Sequence, residues 1–557
     1  MTASGKDHKF QQDENTMKMI ISHWFRFLFL SPAVWPCGIL ACGMLACGTA
    51  PPPPLVTQPS AEAAPDPRLQ PTFDPAPPAT AETRQDQRTV RRREILDAVW
   101  RTVRDMHYDP RLGGLDWPAV RRRYEPLALG APSDAAFYRA LNDMIGELGQ
   151  SHMVVTGPGA DDDIAEDAAA VPQGTTTSTT TSTTTGTTTT PAGPAAASAP
   201  PLPSGATPAG TTAPAPATVS GPPGAPVVVT GVGDPGVTVR SIEGRPTVTA
   251  VRPASSAARH RLAPGFIITA IGGRPLTTVS GSKRPLRPVE ERFALRRAAL
   301  HLLQGPVGSK VTVAYLDNDD RPGQVILERD PPAGPSRQIG HLPPLHPETR
   351  ISEVGGVGII AFNMFLLDPL LPEIKQAMDR FRAVHVKGMI LDLRGNPGGL
   401  GAMAIPVASE FVAAPTTLGT LQFRTFSQTF TAQPSLGRIP YTGPLVILTD
   451  EGTASASEIL AAGLQEVGRA RVVGDTTLGA VLPSVVEALP HGVVMQMVVA
   501  DFKTPKGILV EGRGVQPDRR VLETRSALRA GHDPVIDAAL SVLKMRTGVP
   551  AKRPPRP

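Results

Sequence analysis

Residues 453–458 read Thr-Ala-Ser-Ala-Ser-Glu and lie between an apolar strand, GPLVILT, and an apolar helix containing ILAAGL. Ser455 occupies the strand-to-helix corner, where its hydroxyl can stand at a sheet edge beside the N–H groups of the helix start. A serine hydroxyl is neutral and weakly nucleophilic near pH 7, so attack by it requires a base within hydrogen-bond reach. The stretch 449–482 contains neither lysine nor histidine. The same residues also have a purely structural reading, because Ser455 followed three positions on by Glu458 is a capping box. Two other stretches are rich in turn-forming and polar residues. One is RGNPGG (394–399), which follows the short run GMILDL and reads as a tight turn; the other is VEGRGVQPD (510–518), which carries Glu511.

These stretches need elements to hold them. From about 340 to 545, short β-branched runs (VGIIAF, GMILDL, PLVILT, ARVVG) alternate with amphipathic helices (LLPEIKQAMDRFRA, SASEILAAGLQEV). That alternation predicts an α/β core with largely parallel strands. Upstream, residues 88–155 space their apolar residues as helices do, in VRRREILDAVWRTVRDMHYD and DAAFYRALNDMIGELGQSHMVV, and end in a short strand. Residues 48–87 are Pro/Ala-rich and predict an extended tether. Residues 156–226, with TTTSTTTSTTTGTTTT followed by Pro/Ala/Gly repeats, offer too little apolar surface to bury and predict a disordered insert. Residues 227–335 alternate short strands with the helix start SSAARHRL, and 546–557 form a tail.

Composition narrows the partners. The 557 residues carry a net charge of +5 without a Lys/Arg patch interleaved with aromatics, so no nucleic-acid partner is expected. No His/Cys/Asp/Glu cluster has metal-ligand spacing, and the chemistry is expected to need neither metal nor cofactor. The three cysteines, Cys37, Cys42 and Cys47, all lie in the first 47 residues, which leaves no disulfide or thiol chemistry for the body. The apolar run before them reads as an export signal, and MLAC and ILAC resemble the bacterial lipobox. That resemblance implies lipidation at Cys47, with Cys42 the second choice, and a protein of the bacterial cell envelope anchored facing the periplasm.

Three stretches together, MILDLRGNPGGLGAMAIPVASEFV, TASASEILAAGLQEVGRARVVGDTTLGA and LVEGRGVQPD, resemble the C-terminal-processing (tail-specific) serine peptidases. The order of the parts around them is similar too, over roughly residues 90–545. The resemblance implies a crotonase-like (ClpP-like) α/β core with an N-terminal helical domain and a PDZ-like domain at 227–335. It also implies Ser455 as nucleophile. In the Ser-Lys members a lysine follows that serine by twenty-five residues, and here that position is Ala480, whose methyl accepts no proton. Lys503 and Lys506 lie outside the motif. The tricorn-like branch instead carries a Ser-His pair in an E-L-x-x-S-H context, matched here by ELGQSH (147–152), with a glutamate ahead of G-V-x-P-D, matched by Glu511.

The resemblance therefore implies His152 as base, with Ser151 and Glu511 completing the catalytic set. The oxyanion would be held by backbone N–H groups of Gly398, Gly399 and Ala456. The expected activity is that of an exported endopeptidase cutting unfolded proteins or peptides near their C-termini. A different class, a peptide- or ligand-binding scaffold that has lost catalysis, is suggested by the missing lysine. An acyl-CoA enzyme on the same fold would have no use for the PDZ-like domain or the corner serine.

Overall fold

The computed structural model describes residues 81–158, 232–276, 285–334, 336–337 and 344–547. The segment expected to hold an export signal and the lipidated Cys47, most of the expected tether, residues 159–226 of the expected insert and the last ten residues lie outside the described residues.

Three helices come first: α1 (Ala81–Met106), α2 (Trp117–Leu129) and α3 (Asp134–Gly146). Helix α1 begins seven residues inside the segment expected to be tether. Its later turns explain why it holds, since Ile95, Leu96, Val99 and Val103 fall on one face and are buried. Helix α2 starts where the Asp116 carboxylate accepts the Ala119 N–H at 2.9 Å, and α3 where Ser133 Oγ accepts the Ala136 N–H at 3.1 Å. After α3 the chain turns through residues 147–153 into strand β1 (Val154–Thr156). That loop is clamped at both ends. Tyr124 Oη donates to Glu147 Oε1 at 2.6 Å, and the Asn142 side chain both accepts the Val155 N–H and donates to its carbonyl, each at 2.8 Å.

A second layer contains strands β2 (Val237–Ile242), β3 (Arg245–Val251), β4 (Ile267–Ile271), β5 (Lys310–Leu316) and β6 (Pro322–Glu328), ordered β2-β3-β4-β5-β6. Helix α4 (Pro288–Leu303) packs Ala299 and Leu303 into the buried cluster that it shares with this sheet. It also reaches the core. Arg287 donates to the Leu478 carbonyl at 2.7 Å, Arg292 to Asp475 at 2.5 Å, and Phe293 packs against Ala454, Leu478 and Ala480. From β2, Arg240 donates to both Glu451 oxygens and to Glu523, all at 2.8 Å.

The core sheet has strands β7 (Thr349–Val354), β8 (Val357–Phe362), β9 (Gly388–Asp392), β12 (Leu445–Thr449), β13 (Arg471–Gly474) and β17 (Arg519–Arg520). Their order is β7-β8-β9-β12-β13-β17; only the β7–β8 pair is antiparallel. Every residue of β8 and β12 is buried, as expected of parallel strands covered on both faces. Alternation divides the side chains between two clusters. Ile360, Met389, Leu391, Leu445 and Ile447 pack with helices α5 (Leu370–Ala383) and α6 (Ala456–Glu466), while Ile359, Ile390, Val446 and Leu448 pack with α7 (Pro534–Thr547).

Two three-stranded antiparallel sheets were not announced by the strand-helix alternation. Strands β10 (Thr416–Phe423), β11 (Ser427–Ala432) and β16 (Ala500–Lys503) form one. In the other, the hairpin β14 (Ser484–Ala488) and β15 (Val494–Val498) takes β1 as its third strand, with Val154 opposite Gln496. The helical region is therefore not a separate domain in packing terms. Its buried cluster includes Leu482, Val493, Met495, Met497 and Val498 from the far end of the chain. This pairing brings the loop that carries Ser151 and His152 to the core.

Candidate active site

Adjacent parallel strands β9 and β12 end side by side, and their exits are the RGNPGG turn and the turn leading to Ser455. Ligand sites in open α/β sheets form outside such strand ends. Ser455 has φ 55° and ψ −122°, a backbone state that costs a non-glycine residue on the order of 1–3 kcal/mol and persists only where the surroundings enforce it. Every other residue from 451 to 460 is buried, whereas Ser455 is partly exposed. The sharp corner presents its side chain, as in the nucleophile elbows of hydrolases on other folds. The capping-box reading holds in part, because Glu458 Oε2 accepts the Ser455 N–H at 3.1 Å.

The peptide group joining Ala480 to Val481 is held from both sides. Its carbonyl accepts the Ser455 N–H at 2.8 Å, and its N–H donates to Glu511 Oε2 at 2.9 Å. A peptide O and N are about 2.2 Å apart, so Ser455 N and Glu511 Oε2 are separated by at most about 8 Å. Glu511 then reaches the N-terminal loop. Its Oε1 accepts the Ser151 N–H at 2.9 Å and its Oε2 accepts the Ser151 hydroxyl at 3.1 Å. Ser151 Oγ lies 2.7 Å from His152 Nδ1. His152 itself has φ 58°, and Gly149, three residues earlier, φ 65°, so two left-handed residues turn this loop toward the core.

Hydrogen-bond polarity fixes the imidazole tautomer. An ionised carboxylate can only accept, so the Ser151 hydroxyl donates to Glu511 and uses its lone pair to accept from His152 Nδ1–H. The Nε2 lone pair is then the free, basic position. Burial pulls His152 down to about 4, so the neutral imidazole is the resident form at neutral pH. Burial pushes Glu511 upward, and the N–H and O–H donors around it pull the other way.

Of the expected oxyanion donors, one is already committed. The Gly398 N–H donates to Asn396 Oδ1 at 2.9 Å, which corrects its assignment as a free donor. Asn396 is buried and its Nδ2 donates to the Phe362 carbonyl at 2.9 Å, so this side chain shapes the turn from inside. Gly398 is required for space instead: a Cβ there would lie 2.6 Å from Ser455 Cβ and 2.9 Å from Ala456 N. Among the described residues, neither Gly399 nor Ala456 gives its N–H to a partner. Ala456 opens α6, where the first N–H groups lack intrahelical acceptors.

Ala480 is buried in an apolar setting with Ala454, Leu478 and Phe293. Lys503 ends β16 and Lys506 follows it in an exposed turn; neither side chain joins the polar chain through Glu511. Among the described residues, no group of three or more His, Cys, Asp or Glu side chains is placed to hold a metal ion.

The residues 356–521 that frame this site match the model of Peptidase family S41, and residues 89–146 match that of the Tricorn protease C1 domain. The chain is also similar to the carboxyl-terminal-processing proteases of Synechocystis sp. and Picosynechococcus sp.. The chain is 32% identical to that of Synechocystis sp. over 42% of its own length and 52% of the relative's. It is 34% identical to that of Picosynechococcus sp. over 30% of its own length and 39% of the relative's. The chain thus spans about half the length of these relatives or less. The chain also shares a fold with the crystal structure of mature CPAF, at 14% identity and a TM-score of 0.52, over 84% of this chain and 99% of that one.

Proposed function

We propose that this chain is a serine endopeptidase of the Ser-His kind, acting on unfolded proteins or peptides near their C-termini, with Ser455 as nucleophile and His152 as general base. The observation that carries this reading is the shared peptide group 480–481, which binds the backbone of Ser455 on one side and the Glu511–Ser151–His152 chain on the other. The Ser455 oxygen attacks the substrate carbonyl carbon as His152 Nε2 takes its proton. The resulting imidazolium donates from Nδ1 to Ser151, whose hydroxyl donates to Glu511, so the carboxylate stabilises the charge through one intervening hydroxyl. Ser151 replaces a direct carboxylate–imidazole contact. The oxyanion accepts N–H bonds from Gly399 and Ala456. Collapse breaks the C–N bond as His152 returns the proton to the leaving amine, and water then hydrolyses the acyl-serine by the same steps.

The β2–β6 layer with α4 is read as PDZ-like, and the six-stranded sheet with its helices as a crotonase-like core. Both readings are supported by strand and helix placement together with the motif order. The export signal and a lipid anchor at Cys47 rest on the sequence. Incorporation of a labelled fatty acid that is lost in Cys47→Ala and kept in Cys42→Ala tests the anchor; equal incorporation in both variants rejects it.

The activity is tested on casein. Ser455→Ala and His152→Ala each abolish cleavage, and adding Ala480→Lys to His152→Ala restores little. A folded wild-type protein that leaves casein intact would point instead to a passive binder.

A further inference from the structure

We propose that Glu458 is a positioning residue for the nucleophile: its buried carboxylate grips the backbone of Ser455 together with the 477–480 segment and so holds Ser455 in its attacking conformation. The proposal rests on the peptidase reading above. Glu458 is fully buried one helical turn into α6. Its Oε2 accepts the N–H groups of Ser455 at 3.1 Å and Ala480 at 2.9 Å. Its Oε1 accepts the Gly479 N–H at 2.7 Å and the Thr477 hydroxyl. A helix cap accounts for the first of these bonds only. The other three come from a segment 19–22 residues downstream, which a cap does not require.

The carboxylate therefore ties the left-handed Ser455 to the segment whose carbonyl receives the same Ser455 N–H. That segment continues the connection to the base. Thr477 Oγ1 accepts the Val515 N–H at 2.7 Å, and the Gly479 carbonyl accepts the Gly512 N–H at 2.8 Å, which anchors the chain immediately after Glu511. Four acceptor positions on one side chain thus register the nucleophile against the chain that holds His152. An amide has one acceptor oxygen and would turn its NH2 toward two of these donors. Burial raises the Glu458 carboxyl to about 7 even though its four donors favour the charged form.

The test compares Glu458→Gln with wild type by the rate of Ser455 labelling with a fluorophosphonate, by amide hydrogen exchange and by thermal melting. The first-order labelling step falls at least tenfold while the probe's binding constant stays within twofold. The amides of Ser455, Gly479 and Ala480 exchange faster while β12 stays protected. A labelling rate per folded molecule equal to wild type overturns the proposal, even if the melting temperature falls, because a purely structural role predicts that pattern. If Glu458→Gln does not fold, Thr477→Val removes one of the four donors; a threefold or larger drop in labelling supports the proposal and none overturns it. If wild type itself is not labelled, the peptidase reading fails, and the exchange of the three amides in Glu458→Gln alone decides whether Glu458 holds the turn: unchanged protection rejects it.

Discussion

Replacing Glu511 by glutamine keeps the size of the side chain and removes its charge, which makes it a sharp probe of the relay. In the native site both carboxylate oxygens accept, and three donors from Ser151 and Val481 lie at 2.9–3.1 Å. The amide has one oxygen. If it serves Val481 and the Ser151 hydroxyl, its NH2 confronts the Ser151 N–H and leaves that donor unpaired, at about 1–3 kcal/mol. If it serves the Ser151 N–H, its NH2 faces the Ser151 oxygen. The hydroxyl then turns to donate to His152 Nδ1, which shifts the imidazole proton to Nε2 and removes the base. The corresponding carboxylate-to-amide change in a Ser-His-Asp site costs about 10⁴ in rate through the wrong tautomer. Here, with a serine between the two groups, the expected loss in kcat is about 10³, or about 4 kcal/mol of transition-state stabilisation. KM stays within about threefold, since neither group is assigned to ground-state binding. The assay is steady-state cleavage of a quenched fluorescent peptide, with a thermal melt to show that the variant is folded. A folded Glu511→Gln enzyme with kcat within threefold of wild type would refute the relay.

Three further outcomes follow from packing and charge. Gly398→Ala places a methyl 2.6 Å from Ser455 Cβ at φ +100° and should cut Ser455 labelling at least 100-fold. Gly355→Ala, at φ +59° with nothing within 4 Å, should cost about 1 kcal/mol of stability and leave labelling unchanged; equal effects on labelling would contradict the close-approach argument. Arg240→Ala removes the cation that Asp450, Glu451 and Glu523 share and leaves them Arg296, 3.5 Å from Asp450 and 3.9 Å from Glu451, and Arg394, 3.0 Å from Glu523; urea unfolding should show a loss of about 3 kcal/mol, and a loss below about 1 kcal/mol would show that these two arginines compensate the acids. His152 is depressed to about 4 from its ordinary 6.5, so between those values the unfolded chain binds a proton that the folded chain does not. Its contribution to stability is present above pH 6.5 and is lost as pH falls toward 4, by at most about 3 kcal/mol, and His152→Ala should flatten that part of the stability–pH curve; an unchanged slope would place His152 in an ordinary solvated setting.

Much of this site was legible in local sequence because its parts carry strong local signals. The all-apolar runs of β8 and β12 announced buried parallel strands, and the TASASE corner announced a strand-to-helix turn. The capping-box spacing pointed to Glu458 but described only its bond to Ser455; its bonds to Thr477, Gly479 and Ala480 depend on tertiary folding. Gly398 looked like a donor because a glycine-rich turn hides which N–H the neighbouring side chain takes, and Asn396 takes this one. The hairpin β14–β15 was missed because Ser484–Ala488 is nowhere fully buried and shows no clean alternation, yet it pairs with β1 across more than 300 residues. Arg240 gave no sign of its role, since three partners drawn from residues 450–523 have no sequence pattern in common. Helix α1 overran the expected tether because helical periodicity is weak in its polar first turns.

The central claim is that the imidazole from the 147–153 loop takes the proton of the corner serine. The most direct measurement is the fluorophosphonate labelling rate, with the modified residue located by mass spectrometry, in wild type and in His152→Ala at pH 7.5. The account predicts modification of Ser455 in wild type and a rate at least about 10³-fold slower in the folded variant. Labelling of Ser455 at the same rate in both proteins would contradict it.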